Sequence, residues 1–321
     1  MRAIVTGAAG FVGSHLSGHL LDHGDEVVGI DSLTDYYDPR LKEANLATLE
    51  GREGFTLHRM DLTSAPLARL FEQADVVYHL AGQPGVRGSW GNDFQPYLSR
   101  NVLATQQVLE AARNASLWKV VYASSSSVYG DAEAFPTHED LTPRPVSPYG
   151  VTKLAAEHLC ELYRTTSGVP TASLRLFTVY GPRQRPDMAF SRLVSASLDG
   201  SPFLLYGNGE QSRDFTYVGD VVAAMRQAAL SPWTGVANIG GGSRTSLNSV
   251  IETIGELLRP IELVRLPVQR GDVKHTAADT TVAQNGFGYQ PKVSLREGLT
   301  RMVEAALKVL PTERSASGSR P

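Results

Sequence analysis

The sequence predicts an α/β fold: a doubly wound parallel sheet, with a smaller domain toward the C-terminus. Three observations predict it. Short apolar runs alternate with longer helical patterns through the first half, which argues for parallel strands covered on both faces. A glycine-rich turn, Thr6-Gly7-Ala8-Ala9-Gly10-Phe11-Val12-Gly13, follows the first run directly. At 321 residues the chain accommodates one large or two small domains.

Taken in order, residues 2–6 read as a buried strand and 13–23 as a helix. Residues 26–30, 55–60 and 74–80 are further strands. A helix is expected over 97–114, and strands 119–124 and 171–177 complete the series. Residues 181–187, with Pro182, Pro186 and Asp187, read as a loop, and 189–198 as a helix. The expected division is 1–178 with 214–238 as one domain and 179–213 with 239–310 as the other. Residues 311–321, rich in Ser, Arg and Pro, are expected to form a flexible tail.

Composition narrows the function classes. Thirty Lys and Arg stand against 33 Asp and Glu, and the basic residues are scattered, so no nucleic acid partner is expected. The one cysteine, Cys160, excludes a disulfide framework within the chain, and no metal site is expected. No apolar run approaches the roughly 20 residues of a membrane helix. The N-terminus enters a strand at once, without signal-peptide anatomy, and a reducing cytoplasm is the expected location.

The glycine turn opens the first helix. Gly7 permits a tight turn, Gly10 lets the backbone approach a pyrophosphate at the positive helix end, and Gly13 permits close helix–strand packing. A purely structural turn would use the same glycines, but Asp31 at the end of the second strand stands where a carboxylate meets adenosine ribose hydroxyls. Ser32 and Leu33 follow it, so no adjacent Arg receives a 2′-phosphate, which favours NAD over NADP. Asp61 and Leu62 follow the third strand and either border the adenine or cap a helix.

Tyr149-Gly150-Val151-Thr152-Lys153 is a YxxxK spacing, and positions four apart share one helix face. An ammonium beside the phenol lowers its pKa from about 10 and makes it a base for a sugar hydroxyl. Such a pair also occurs on solvated helices. Upstream, Ser124, Ser125, Ser126 and Ser127 end an apolar strand, either as a plain loop or as hydroxyl partners of the same oxygen. The glycine loop, Asp31, the serine run and YxxxK in this order favour the chemical reading.

Together these motifs resemble the extended short-chain dehydrogenase/reductase family, with its Rossmann-type sheet, over residues 1 to about 309. Arg175-Leu176-Phe177-Thr178-Val179-Tyr180-Gly181-Pro182 and Arg213-Asp214-Phe215-Thr216-Tyr217-Val218 resemble signatures of its sugar-nucleotide branch. By physics alone Arg213 serves equally as a surface ion pair, and Tyr206 as a core aromatic. Gln83-Pro84-Gly85-Val86-Arg87 and Arg185-Pro186-Asp187-Met188-Ala189 are similar to runs of the UDP-glucuronate 4-epimerases. Pro84 and Gln184 depart from those runs, and Arg192 stands where Lys is frequent.

The resemblance implies an NAD-dependent homodimer acting on a UDP-sugar. Tyr149, Lys153 and Ser125 are then catalytic, and C4 is transiently oxidised to a 4-keto intermediate while NAD stays bound. Phe11, Val12, Leu80, Ala81, Gln83, Asn101 and Ser124 join the cofactor site. Arg87, Ser126, Ser127, Thr178, Arg185, Met188, Ala189, Arg192, Tyr206, Arg213, Gln269 and Asp272 join the substrate site. A 4-keto uronate is a β-keto acid that loses carbon dioxide readily, and Ser126, Ser127 and Thr178 are expected to hold its carboxylate near the carbonyl plane. Dehydratases of this branch carry an Asp-Glu pair before the "VYG" turn and decarboxylases a Glu, where this chain has serines. The rival readings are a UDP-glucose/UDP-galactose 4-epimerase, a UDP-glucuronate decarboxylase and a non-catalytic NAD sensor. Asp31→Ala is expected to weaken NAD binding and relax the preference over NADP. Cofactor titrations check this, and equal affinities for both cofactors in the unsubstituted chain would overturn the assignment.

Overall fold

The computed structural model describes residues 1–132, 134–267 and 275–309. Six strands run in order through the first half: β1 (Arg2–Thr6), β2 (Glu26–Asp31), β3 (Phe55–Arg59), β4 (Val76–His79), β5 (Lys119–Ser125) and β6 (Thr171–Leu176). Small pairs follow: β7 (Val179–Tyr180) with β10 (Thr216–Tyr217), β8 (Phe203–Tyr206) with β13 (Leu263–Leu266), and β9 (Ser212–Asp214) with β12 (Arg244–Ser246). Among the described residues the main sheet has seven parallel strands, in the order β11 (Gly235–Ile239), β6, β5, β4, β1, β2, β3.

The seventh strand, β11 (Gly235–Ile239), corrects the predicted series, which stops at 171–177. It pairs with β6, Asn238 opposite Arg175. The buried amide of Asn238 interrupts what would otherwise read as an apolar run, because its partners lie far off in sequence.

The helices are α1 (Phe11–Asp22), α2 (Pro39–Ala47), α3 (Leu67–Phe71), α4 (Gln95–Tyr97), α5 (Ala104–Arg113), α6 (Pro148–Ser167), α7 (Ala189–Asp199), α8 (Val218–Leu230), α9 (Leu247–Leu257), α10 (Thr281–Phe287) and α11 (Leu295–Val309). Two predicted helices are corrected. α1 begins at Phe11 rather than residue 13, because Gly10 takes the extended N-cap conformation. The helix expected over 97–114 is interrupted by a π-helical stretch, Leu98–Leu103. A widened turn of this kind often marks a functional site, and here it carries the buried Asn101. α2 went unread, although Asp38-Pro39 is a start signal and the Asp38 carboxylate accepts the Arg40 amide at 2.9 Å.

Burial follows this layering. Val5, Tyr78, Val121 and Leu174 on the strands pack with Leu16 and Leu20 of α1 and Val221 and Met225 of α8. Ile4, Val77, Val120 and Tyr122 face the other way, onto Val108 and Leu109 of α5 and Ala156 and Cys160 of α6. Adjacent strand residues point to opposite faces, so both sides of the sheet are sealed.

Gly13 sets how closely α1 approaches β1. A Cβ there would overlap the Gly7 carbonyl oxygen and crowd Ala8. Gly13→Ala is expected to destabilise the chain by about 1–3 kcal/mol and to displace the turn. Thermal unfolding checks this, and an unchanged melting temperature would mean the turn shifts without cost.

Candidate active site

Strand order reverses between β1 and β4, the place where open α/β sheets bind ligands. A cleft opens there. Gly7, Gly10, Phe11, Val12 and Gly13 wall it, with Leu80 and Ala81 opposite and Asp31, Asp61 and Leu62 at one end. Gly7 has a φ of 74°, and its amide donates to Ile30 O at 2.7 Å. A Cβ on Gly7 would lie 2.8 Å from the Ala81 nitrogen. No side chain caps the start of α1, so its amides are available to an anion. The Asp31 carboxylate accepts from Ala9 N at 3.0 Å and Leu33 N at 2.8 Å. A turn of glycines and alanines, a helix N-terminus and an oriented carboxylate fit a dinucleotide.

Several expected cofactor residues do not line this cleft. Gln83 is buried, with its backbone N–H and C=O both bonded to the Asn101 side chain at 2.6 and 3.1 Å. Asn101 also donates to Thr152 Oγ1 at 2.9 Å, and Ser124 turns its hydroxyl onto Glu157 at 2.8 Å. Asn101 and Ser124 thus brace the wall. Conversely, the cleft includes Tyr36, Tyr37, Lys42 and Arg100, which sequence reasoning missed. Lys42 is buried and donates to Thr34 O at 2.7 Å. Asn45 of α2 donates to Ala9 O at 2.9 Å and so holds the glycine turn from behind. Recognising α2 from its Asp-Pro start would have brought both residues into view.

Helix α6 carries the YxxxK pair. Ser147 caps it, accepting from Gly150 N at 3.1 Å, and this places Tyr149 in the first turn. The Ser125 hydroxyl neighbours the Tyr149 phenol, and the Tyr97 ring meets it edge-on at 6.3 Å. Burial pushes the Tyr149 phenol above its ordinary pKa, while the Ser125 hydroxyl and the Arg185 charge act the other way. This corrects the expectation that Lys153 sets a lowered value. Lys153 is itself buried, and desolvation draws its ammonium down to about 8, opposed by Cys160 and Glu157. It lies over the Tyr122 ring at 4.5 Å.

The expected substrate residues gather in part. Arg87 lies over the Tyr206 ring at 4.7 Å. Arg185 pairs with Asp187 at 2.9 Å, lies over Tyr36 at 5.9 Å and lines the dinucleotide cleft, so it stands at the junction of the two subsites. Met188 is the N-cap of α7 and Ala189 its first residue. Arg192 lies over the Phe203 ring at 5.3 Å. Ser126 and Ser127 form a short 3-10 turn whose start is capped by the Ser125 hydroxyl, which accepts from Ser127 N at 3.1 Å. Thr178 offers its carbonyl to Thr216 N at 2.9 Å, and Arg213 lies on β9, paired with Thr245. Gln269 and Asp272 lie outside the described residues.

Comparison with known proteins agrees with this cleft. The model of the NAD dependent epimerase/dehydratase family matches residues 3–240. The chain belongs to this family. A Bacillus subtilis (strain 168) protein named as an uncharacterized UDP-glucose epimerase, YtcB, is 44% identical, over 94% of this chain and 97% of that protein. A UDP-glucuronate 4-epimerase of Thermodesulfobacterium geofontis (strain OPF15) is 38% identical, over 94% of each. The crystal structure of UDP-glucuronic acid 4-epimerase from Bacillus cereus, in complex with UDP-glucuronic acid and NAD, matches with a TM-score of 0.93. It is 42% identical and covers 97% of this chain and 100% of that one. Among the described residues, no helix is long and apolar enough to cross a membrane.

Tyr149→Phe is expected to lower kcat on a UDP-sugar by roughly 10²–10⁴-fold while NAD stays bound. Steady-state kinetics with cofactor quantitation check this, and rates within about twofold of the unsubstituted chain would remove the proton-acceptor role.

Proposed function

We propose that this chain is a UDP-glucuronate 4-epimerase, interconverting UDP-glucuronate and UDP-galacturonate. The observation that carries the reading is the Ser125 hydroxyl at the end of β5, which acts on the buried Tyr149 phenol, beside a dinucleotide cleft and followed by Ser126 and Ser127 rather than acids. NAD, when bound, supplies a reversible hydride acceptor for the sugar C4–H bond. The glycine turn and the α1 N-terminus hold its pyrophosphate, and Asp31 holds the ribose hydroxyls.

In this reading Tyr149 takes the proton of the sugar O4 and returns it after the sugar has turned over. Ser125 holds that oxygen and the phenol in line. Ser125 and Arg185 favour the phenolate, offsetting the burial that opposes it. Ser126, Ser127 and Thr178 hold the carboxylate near the carbonyl plane, where the bond to be broken overlaps the π system poorly. The serine hydroxyls at 126 and 127 are not ordinary general acids at neutral pH, so the acid–base pair for eliminating water and the acid of a decarboxylase are absent from these two positions. Arg213, Arg87, Tyr206, Gln269 and Asp272 hold the nucleotide end. Residues 1–178 with 214–238 form the cofactor half, and 179–213 with 239–310 the sugar-nucleotide half. A reducing cytoplasm suits the one buried, free cysteine. A homodimer would cover Leu98, Leu103, Val151 and Leu162, exposed on the adjacent α4–α5 segment and α6.

A UDP-glucose/UDP-galactose epimerase is the second reading, favoured by the name of the Bacillus subtilis relative. Product analysis separates the two. UDP-glucuronate is expected to yield UDP-galacturonate with little UDP-pentose, and to turn over roughly ten times faster than UDP-glucose or more, since one charge-assisted hydrogen bond is worth about 1.5–3 kcal/mol. Thr178→Ala and Ser127→Ala are expected to raise carbon dioxide release. Faster turnover of UDP-glucose would favour the second reading, and UDP-pentose as the main product would overturn both.

A further inference from the structure

Behind the proton-transfer residues runs a buried polar chain that the reaction as described does not use. It starts at Glu157, one helical turn beyond Lys153 and two beyond Tyr149, a spacing that sets all three on one side of α6. Glu157 is only 3% exposed. Its carboxylate accepts from Ser124 Oγ at 2.8 Å and from Arg175, Nη2 at 2.5 Å and Nε at 3.1 and 3.2 Å. Arg175 is 4% exposed. It donates to the Tyr129 hydroxyl at 2.7 Å and lies over that ring at 4.7 Å. Tyr129 passes the chain on to Asn238 Oδ1 at 2.8 Å. The Asn238 amide then donates to the carbonyls of Thr137 and Asp279 at 2.9 and 3.1 Å.

Stability alone is a poor reason for such a pair. Desolvating two charges costs about what their attraction returns, and buried pairs are often replaced by apolar residues without loss. The placement is the informative feature. Ser124, held by Glu157, is the neighbour of Ser125, whose hydroxyl acts on the Tyr149 phenol. Glu157 therefore ties the end of β5 to the helix that carries the phenol. Arg175 extends the tie through Tyr129 and β11 to residues 137 and 279, on the far side of the site.

We propose that Glu157 and Arg175 are a positioning pair for the epimerase reaction: they clamp the Ser124–Ser125 strand end to α6, and so hold Ser125 and Tyr149 at proton-sharing distance. The proposal rests on the reading of Tyr149 as the proton acceptor. It differs from a structural role in what it predicts for Tyr149 itself. Besides Ser125, the groups that face this phenol are Arg185 from the loop before α7, Tyr97 from α4, Tyr36 from the loop after β2, Tyr122 from β5 and Lys153 on its own helix. The Ser125 hydroxyl favours the phenolate, so drawing it away raises the pH at which Tyr149 ionises.

The experiment uses the full-length chain with NAD. Glu157→Gln alone leaves the Arg175 charge buried without a counter-charge and risks misfolding. The double substitution Glu157→Gln/Arg175→Met removes both charges and keeps the net charge, so a changed titration reports position. The double variant is expected to retain NAD and a KM for UDP-glucuronate within about threefold of the parent, while kcat falls on the order of 10- to 100-fold. Its Tyr149 titration, read as phenolate absorbance against the Tyr149→Phe protein, is expected to move up by roughly one unit. The titration needs no sugar substrate. A parent that fails to turn over UDP-glucuronate therefore counts against the proposed substrate, and the titration still decides the positioning role. An unmoved titration, or a kcat within about twofold of the parent in a folded, NAD-loaded double variant, overturns the proposal.

Discussion

The junction of β1 and β4 rests on one hydroxyl. Thr6 Oγ1, fully buried at the last residue of β1, accepts the amides of Leu80 and Ala81 at 3.2 and 3.1 Å. With its lone pairs so used, its proton goes to His79 Nδ1 at 2.8 Å. His79 then donates from Nε2 to Thr105 Oγ1 at 2.9 Å, because the Thr105 proton is committed to Asn101 O at 2.6 Å. The imidazole therefore stays neutral in one tautomer. Burial, with the nearby Lys153 charge, holds its pKa down to about 3. Two strands part here, and their freed backbone donors must be met inside the protein. Thr6 meets them without filling the space above, and that space is the cleft.

From this junction the remaining geometry follows. The Thr6–His79–Thr105 chain reaches the π-helical stretch at Leu98–Leu103, whose Asn101 holds the backbone of Gln83 on one side and Thr152 on the other. Thr152 lies between Tyr149 and Lys153 and donates to the Tyr149 carbonyl at 2.8 Å. One connected set of buried hydrogen bonds thus links the glycine turn to α6, the helix of Tyr149 and Lys153. Such networks are rigid when every member is satisfied, which suits a site that must keep its geometry while a sugar turns over within it.

The electrostatics of the site are arranged against easy ionisation. Burial raises Tyr149 and lowers Lys153, so neither group is held charged by solvent. A phenolate forms readily only when positive charge and hydrogen bonds are assembled around it. The protein supplies Ser125 and Arg185 for this, and a bound cofactor completes the enclosure.

The sequence by itself determined the parallel sheet through its first six strands, the glycine turn, Asp31, the serine strand end and YxxxK. These are local signals: a short apolar run, a glycine turn between strand and helix, a pair four residues apart on a helix. It did not disclose β11, because Asn238 looks polar until Tyr129 and the carbonyls of Thr137 and Asp279 surround it. Lys42 and Asn45 were missed along with α2, a short helix whose sequence shows little apolar periodicity. That Asn101 and Ser124 brace the wall of the cleft was likewise decided only by tertiary structure. So was the sign of the Tyr149 shift, because desolvation depends on everything packed around a group, whereas the YxxxK spacing reveals only the neighbour on its own helix. Spacing along the chain specifies which groups are present. Burial and long-range hydrogen bonds, which join residues a hundred positions apart, decide which way each one faces and what charge it bears.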